Sequence, residues 1–157
     1  MGFFRRINQF IAPERSANPP QQAASAPKDA LARQTASRKQ AGDAAEAAAI
    51  AWLQQQGLTL LERNYQTPGR GGGEIDAIMR AADGTLVFVE VRLRSGSSHG
   101  GAAASVGGLK QRRIIHAAQH YLQQLEHLPA CRFDVMACDQ PGPPWHWTWL
   151  VAAFDAA

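Results

Sequence analysis

Four charged side chains interrupt two segments that otherwise have the composition of buried β-strands, and they constrain the fold of this chain more than any other feature. Glu74 and Asp76 lie two residues apart in the first segment, and Glu90 and Arg92 lie two apart in the second. Because side chains alternate between the two faces of a strand, each pair shares a face. The sheet must therefore accommodate charge at one end of two neighbouring strands.

The connection between the two segments predicts how they pair. Ala82-Asp83-Gly84 has the composition of a three-residue hairpin loop in which glycine takes the left-handed conformation. Pairing Ala81 with Thr85 then places Asp76 opposite Glu90. A loop of two or four residues would send the two carboxylates to opposite faces, so an acidic site requires a loop with an odd number of residues.

Two carboxylates that face each other across neighbouring strands repel, and this leaves two interpretations of the hairpin. In the first, a hard divalent cation such as Mg²⁺ is held by Asp76 and Glu90 together with water and phosphate oxygens. In the second, the face is exposed, Glu74 pairs with Arg92 and Asp76 is solvated, with each ion pair worth roughly a few tenths of a kcal/mol. The hairpin alone does not decide between them.

The composition fits one domain, because the chain has 157 residues of which 45% are hydrophobic. It contains no apolar run of the roughly 18 residues that a membrane-spanning helix needs. Its two cysteines, Cys131 and Cys138, have the spacing of neither a zinc site nor a redox motif, and the first residues lack the apolar segment of a secretory signal. We therefore expect reduced thiols and a cytoplasmic protein.

The net charge of +3 is unevenly distributed along the chain. Residues 1–40 carry seven Lys or Arg against two acids, a charge of +5, and the remainder carries nine against eleven, a charge of −2. Residues 1–40 are also rich in Ala, Gln, Pro and Ser, which predicts a flexible basic leader before a folded domain at 41–157. Nucleic-acid binding by the folded domain would therefore have to come from a local basic cluster.

Two helices are predicted to flank the sheet. The first spans residues 43–56 and has an inward stripe of Ala49, Ile50 and Leu53. Projected back by one turn, this stripe includes Glu46, whose carboxylate must be desolvated, capped, paired or aimed at a site. A negative charge near a helix start is also favoured by the macrodipole, which offers Glu46 a purely structural role.

The second helix, predicted at residues 109–126, carries the dense basic cluster of the folded domain: Lys110, Arg112 and Arg113. This cluster is either a solvated helix face or a surface that contacts phosphates. His116 and His120 have the i, i+4 spacing of helical metal ligands, but the glutamate of a zincin motif is missing, so we interpret them as part of the polar face.

The remaining segments complete the prediction. Further strands are predicted at residues 58–65, 86–93, 132–137 and 145–154. Residues 95–108 form a loop rich in Gly, Ser and Ala, whose His99 is either solvated or within reach of a substrate. Trp145, Trp147 and Trp149 fall on one face of the last strand; such rows pack against a helix or cover a sheet edge more often than they stack on bases.

The order of these elements is similar to that of the restriction-endonuclease-like, or PD-(D/E)xK, nuclease superfamily. More closely, the segments GDAAEAAAIAWLQQQG, LLERNYQ, GEIDAIM, LVFVEVRLR and CRFDVM, with a lysine at the start of the second helix, resemble the bacterial YraN, or UPF0102, family from about residue 42 to 151. The resemblance implies an α/β fold with a central mixed sheet of about five strands flanked by helices.

The resemblance also implies a set of site residues. In the superfamily an Asp and a Glu bind Mg²⁺, a helix Glu completes the site in resolvase-like members, and a Lys two residues after the strand Glu activates the attacking water. The matching positions are Asp76, Glu90 and Glu46, with Arg92 in place of the lysine. These positions imply a nuclease that uses Mg²⁺ or Mn²⁺ to hydrolyse DNA, including branched or single-stranded DNA, with the basic cluster on the phosphates.

Arg92 departs from the family pattern and keeps other functions open. An arginine stays protonated and cannot act as a base, although it can hold a phosphate or stabilise developing negative charge. Lys110 is an alternative source of the amine, and Glu74 is either a second metal ligand or the partner of Arg92. The protein is otherwise a decayed nuclease fold that only binds nucleic acid, or a protein-interaction domain that uses the tryptophan face. The sequence leaves the oligomeric state open.

Overall fold

Five strands form one mixed sheet that carries a helix on each face. The computed structural model describes residues 27–69, 71–93, 106–140 and 142–156. Within them the elements are α1 Pro27–Gln55, β1 Thr59–Gln66, β2 Glu74–Arg80, β3 Leu86–Leu93, α2 Gly108–Leu122, β4 Cys131–Cys138 and β5 Trp147–Phe154. The strands follow chain order across the sheet, and β3 and β4 are parallel while the other neighbours are antiparallel. This is the α/β architecture that the sequence predicted.

Alternation along β3 divides the hydrophobic core into two layers. Val87 and Val89 are buried beneath α1, and Leu86 and Phe88 are buried beneath α2. The helix residues that cover them are Ala49, Ile50 and Leu53 on one side and Ile114, Ala117 and Ala118 on the other. Both faces of this central strand are therefore apolar, as a strand covered by helices on both faces requires.

The first helix is longer than predicted, because it begins at Pro27 rather than at residue 43. Residues 29–40 are exposed throughout, and Ala45 is the first residue of the helix with almost no exposed surface, at 1%. The prediction of a flexible segment considered only what these residues bury, whereas their Ala, Gln, Arg and Lys content also favours helix. Residues 1–26 of the predicted leader, and most of the predicted loop around His99, lie outside the described residues.

The other boundaries agree more closely. β3 has the predicted bounds, the ends of β1, β4 and β5 lie within two residues of the prediction, and α2 ends at Leu122 rather than at residue 126. Cys131 and Cys138 begin and end β4 as free thiols. In the part of the chain that the structure describes, neither helix has both the length and the apolar character needed to cross a membrane.

The hairpin between β2 and β3 has the predicted register. Ala81 N donates a hydrogen bond of 2.9 Å to Thr85 O, and Thr85 N donates one of 2.9 Å to Asp83 Oδ1. The paired rows run from Arg80 opposite Leu86 to Ala77 opposite Val89. The paired rows end there, one row before the predicted pairing of Asp76 with Glu90.

Candidate active site

The pairing between β2 and β3 stops immediately before the two predicted acids. Beyond Ala77 and Val89, β2 pairs only with β1 and β3 pairs only with β4. Val91 N donates a hydrogen bond of 2.7 Å to Asp76 Oδ2, whereas in a continued antiparallel ladder it would donate to the backbone of β2. The two strands therefore separate where Asp76 and Glu90 lie, and a carboxylate replaces a backbone acceptor.

The strand β2 also changes faces at this point. Ala77 packs in the layer beneath α1 and Ile75 packs in the layer beneath α2, although residues two apart on a regular strand share a face. The neighbouring strand is distorted alongside it, because Asn64 has a φ of 51°, in the left-handed region that Asn tolerates better than most residues. The Asp76 side chain consequently leaves the strand where it rotates, between the two faces of the sheet.

The carboxylate of Glu90 is buried beside two basic side chains. The residue is 3% exposed; Lys110 Nζ lies 3.2 Å from Oε2 and Arg92 Nη1 lies 3.6 Å from Oε1. Among the described residues no donor meets the buried Oε2 atom in hydrogen-bond geometry, so the contact with Lys110 is an ion pair without an aligned hydrogen bond. The charges of Lys110 and Arg92 thus offset part of the cost of burying this carboxylate.

The electrostatics of the site follow from burial and from acid–acid proximity. Burial, followed by repulsion from Asp76, raises the pKa of Glu90 to about 7, against the attraction of Lys110 and Arg92. Burial also raises the pKa of Asp76 above its usual value, although the hydrogen bond from Val91 and the charge of Lys110 oppose this rise. Both acids thus resist ionisation in the absence of a further cation.

Glu46, the acid that the sequence analysis placed on the inward face of the first helix, lies on α1. It is partly buried, and its pKa is raised first by burial and then by the negative charge of Asp76. Across the described ranges, however, no three Asp, Glu, His or Cys side chains converge closely enough to hold a metal ion. The predicted convergence of Glu46, Asp76 and Glu90 on one ion is therefore not found among the described residues.

Of the three predicted basic residues at the start of α2, Lys110 contacts the site. Lys110 reaches Glu90, while the side chains of Arg112 and Arg113 are exposed on the same helical turn. The loop before β2 packs directly on this turn, because a Cβ atom on Gly73 would lie 1.8 Å from the backbone oxygen of Arg113. Thr67 closes that loop, with its Oγ1 accepting a hydrogen bond of 2.7 Å from Gly73 N.

Other predicted residues have different surroundings. Glu74 is exposed and accepts a hydrogen bond of 3.2 Å from Gln66 Nε2. His116 is exposed, but His120 is partly buried and its Nδ1 lies 2.5 Å from the hydroxyl of Tyr65. Tyr65 on β1 therefore covers the part of the polar face of α2 that carries His120.

Asp134 on β4 is a buried acid that the sequence analysis did not single out. It is 0% exposed and accepts hydrogen bonds from Arg132 Nε at 3.1 and 3.2 Å, from Trp149 Nε1 at 3.0 Å and from Ala152 N at 3.0 Å. These bonds span a register shift between β4 and β5 that falls at Asp134. The available signal was an acid two residues from an arginine on an otherwise apolar strand, the same signal that Glu90 and Arg92 give.

A mixed five-stranded sheet between two helices, with a charged site where two central strands separate, defines an α/β protein of the restriction-endonuclease-like class. The model of the "Uncharacterised protein family UPF0102" matches residues 45–138, which include every residue of the site. The UPF0102 protein of Albidiferax ferrireducens is 62% identical over 123 residues, which cover 78% of this chain and 93% of the relative. That of Polaromonas naphthalenivorans is 51% identical over 162 residues, covering the whole of both chains. The chain belongs to the UPF0102 family.

Proposed function

We propose that this protein is a metal-dependent nuclease that hydrolyses phosphodiester bonds in DNA, with Asp76 and Glu90 as its metal ligands. The observation that carries the proposal is the buried carboxylate of Glu90, which faces a second acid where its strand separates from the one bearing Asp76. Two buried carboxylates that repel each other favour the binding of a cation.

The donors fit a hard divalent cation. Mg²⁺ and Mn²⁺ prefer oxygen ligands, and Mg²⁺ is commonly held by one or two carboxylates together with water and substrate phosphates. Such a cation, bound by Asp76 and Glu90, would lower the pKa of a bound water and polarise a phosphoryl oxygen. Its charge would also offset the repulsion that raises the pKa of both acids.

The surrounding residues have distinct roles in this proposal. Glu46 orients the attacking water by accepting a hydrogen bond from it, which suits a partly buried carboxylate near Asp76. The cations of Lys110 and Arg92, next to Glu90, stabilise the negative charge that develops on the phosphate. Arg92 is not the base, because a guanidinium stays protonated.

The exposed Arg112 and Arg113 side chains would hold the phosphate backbone of the DNA. Contacts with phosphates position a nucleic acid but carry no sequence information. The proposed enzyme therefore recognises the shape of its substrate, such as a branch or a single-stranded segment, rather than a base sequence.

The test is cleavage of branched, single-stranded and duplex DNA by the purified protein in Mg²⁺ or Mn²⁺. We expect cleavage that EDTA abolishes and that the substitution Asp76→Ala lowers by at least about 100-fold, a loss typical of removing one catalytic electrostatic contact. Glu62→Gln, at an exposed acid on β1, is the matched control and should cleave normally. Cleavage that survives Asp76→Ala, or its absence with every substrate and both metals, would remove the proposal.

A second candidate function is nucleic-acid binding without hydrolysis, and the observation that favours it is Arg92 beside Glu90, where the superfamily pattern has lysine. This candidate predicts binding that weakens with salt, by about 0.9 log units of affinity per phosphate contact for each log unit of salt, and no turnover. The substitution Arg92→Lys separates the two functions. Cleavage by this variant alone would identify the natural protein as a decayed nuclease.

A further inference from the structure

We infer that Trp145 and Trp147 form a stacking surface for unpaired bases, so that the substrate is a nucleic acid with a single-stranded segment next to the cleaved bond. The inference rests on the proposed function and adds a recognition site to it. Both tryptophans lie beyond residues 45–138, the part of the chain that matches the family model. The surface therefore lies outside the part of the chain that the family model matches.

The tryptophans of β5 and of the turn before it differ in their contacts with the core. Trp149 packs edge-to-face with Trp52 of α1, at 5.8 Å and 82°, and donates a hydrogen bond to Asp134. Trp147 packs against the layer beneath α1. Trp145 is not among the described residues that pack on either core layer, and its ring stacks on Trp147 at 5.4 Å and 12°. The pair thus forms a parallel stack whose inner ring is fixed by the core.

The stack lies at the same end of the sheet as the candidate active site. Trp147 pairs with Cys138 on β4, and Cys138 pairs with Leu93 on β3, three residues beyond Glu90. With strands about 4.8 Å apart and a rise of about 3.3 Å per residue, the backbones of Trp147 and Glu90 are about 14 Å apart. At about 3.4 Å per stacked nucleotide, this distance requires at least about four nucleotides. Because Trp147 packs in the layer beneath α1 and Glu90 lies on the face of α2, a strand that contacts both places has to cross this end of the sheet.

The chemistry of the surface favours an unpaired base over other occupants. A parallel aromatic stack binds a flat ring on its open face, and every nucleobase offers such a face once it leaves a duplex. The bases inside a duplex are stacked on one another and present only their edges to a protein. The exposed arginines at the start of α2 would hold the phosphates of the paired part, so the two surfaces together fit DNA that has both paired and unpaired segments.

The test is a fluorescence titration in EDTA, where metal-dependent hydrolysis does not occur. We expect a short oligothymidylate to quench the tryptophan emission, and Trp145→Leu to lose most of that quenching. The variant should also bind the single strand about 5- to 100-fold more weakly, as expected for one lost base–aromatic stack, with no comparable loss for a duplex of equal length. Trp145→Phe, which keeps an aromatic face, should restore part of the affinity.

The matched control is His146→Ala, an exposed position between the two tryptophans, which should bind single strands normally. Equal losses on single-stranded and duplex DNA for Trp145→Leu would overturn the inference. So would an unchanged affinity, or a dimer in sedimentation that Trp145→Leu dissociates, because a second copy would then cover the stack. The two proposals can fail separately. Quenching that depends on Trp145, without cleavage in any metal, would support the stacking surface and contradict the nuclease activity.

Discussion

Asp134 and Glu90 are both buried carboxylates on neighbouring strands, but their surroundings are opposite. Asp134 accepts hydrogen bonds from a guanidinium, an indole and a backbone N–H. Glu90 faces another acid, and its Oε2 atom lacks an aligned donor within the described residues. The comparison teaches that burial alone does not identify a functional acid. An acid surrounded by hydrogen-bond donors stabilises the sheet, whereas a buried acid that faces a second acid can gain free energy from a bound cation.

The largest effect is expected for Asp134→Ala. This change would leave the partly buried Arg132 guanidinium and two N–H donors without their acceptor, and removing one partner of a buried ion pair typically costs about 3–5 kcal/mol. The free energy of unfolding, measured by urea denaturation, should fall by this amount. Asp76→Ala is the matched control, because it removes one hydrogen bond and one repelled charge, and it should cost about 1 kcal/mol or less. Equal losses for the two variants would contradict the comparison.

A smaller effect with a defined pH dependence is expected for Glu90→Gln. The pKa of Glu90 is about 7 in the folded protein, above its usual value of 4.5, so between these pH values the folded state binds a proton that the unfolded chain has lost. The stability that this proton binding gives to the folded state is complete below about pH 4.5 and is lost as the pH rises to about 7. Its size is on the order of 3 kcal/mol.

Urea denaturation of the natural protein between pH 4.5 and 8 should show this decline, and Glu90→Gln should flatten it. The raised pKa values of Asp76 and Glu46 act in the same direction, so part of the slope should remain in the variant. A free energy of unfolding that rises from pH 4.5 to 8 in the natural protein, or an identical slope in the variant, would show that the charged form of Glu90 does not destabilise the folded state.

The smallest effect is expected for Lys110→Met. The methionine keeps the apolar stem but removes the cation that lies 3.2 Å from Glu90, and the side chain of Lys110 is 31% exposed, which weakens the ion pair. We expect a loss of about 1 kcal/mol at pH 8, where Glu90 is charged, and almost none at pH 4.5. Equal losses at the two pH values would indicate that packing, rather than charge, accounts for the role of Lys110.

Local chemistry was sufficient to predict the hairpin and most elements. The loop Ala82-Asp83-Gly84 determined the register, and the alternating apolar residues of β3 predicted a strand buried on both faces. The rotation of β2 at Asp76 could not be predicted, because it occurs beside the left-handed backbone of Asn64 on another strand. The different surroundings of Asp134 and Glu90 were equally inaccessible, because the sequence shows an acid near an arginine in both cases and the other partners are distant in the chain.

The contact between Gly73 and the backbone oxygen of Arg113 has a consequence for the spacing of the site. The loop that carries Gly73 leads directly into the strand of Asp76, and the helical turn of Arg113 also carries Lys110. A side chain at position 73 would clash with the backbone of α2 and push the helix and the strand apart. Glycine at this one position therefore sets how closely the ammonium group approaches the acid pair, although Gly73 itself offers the site no functional group.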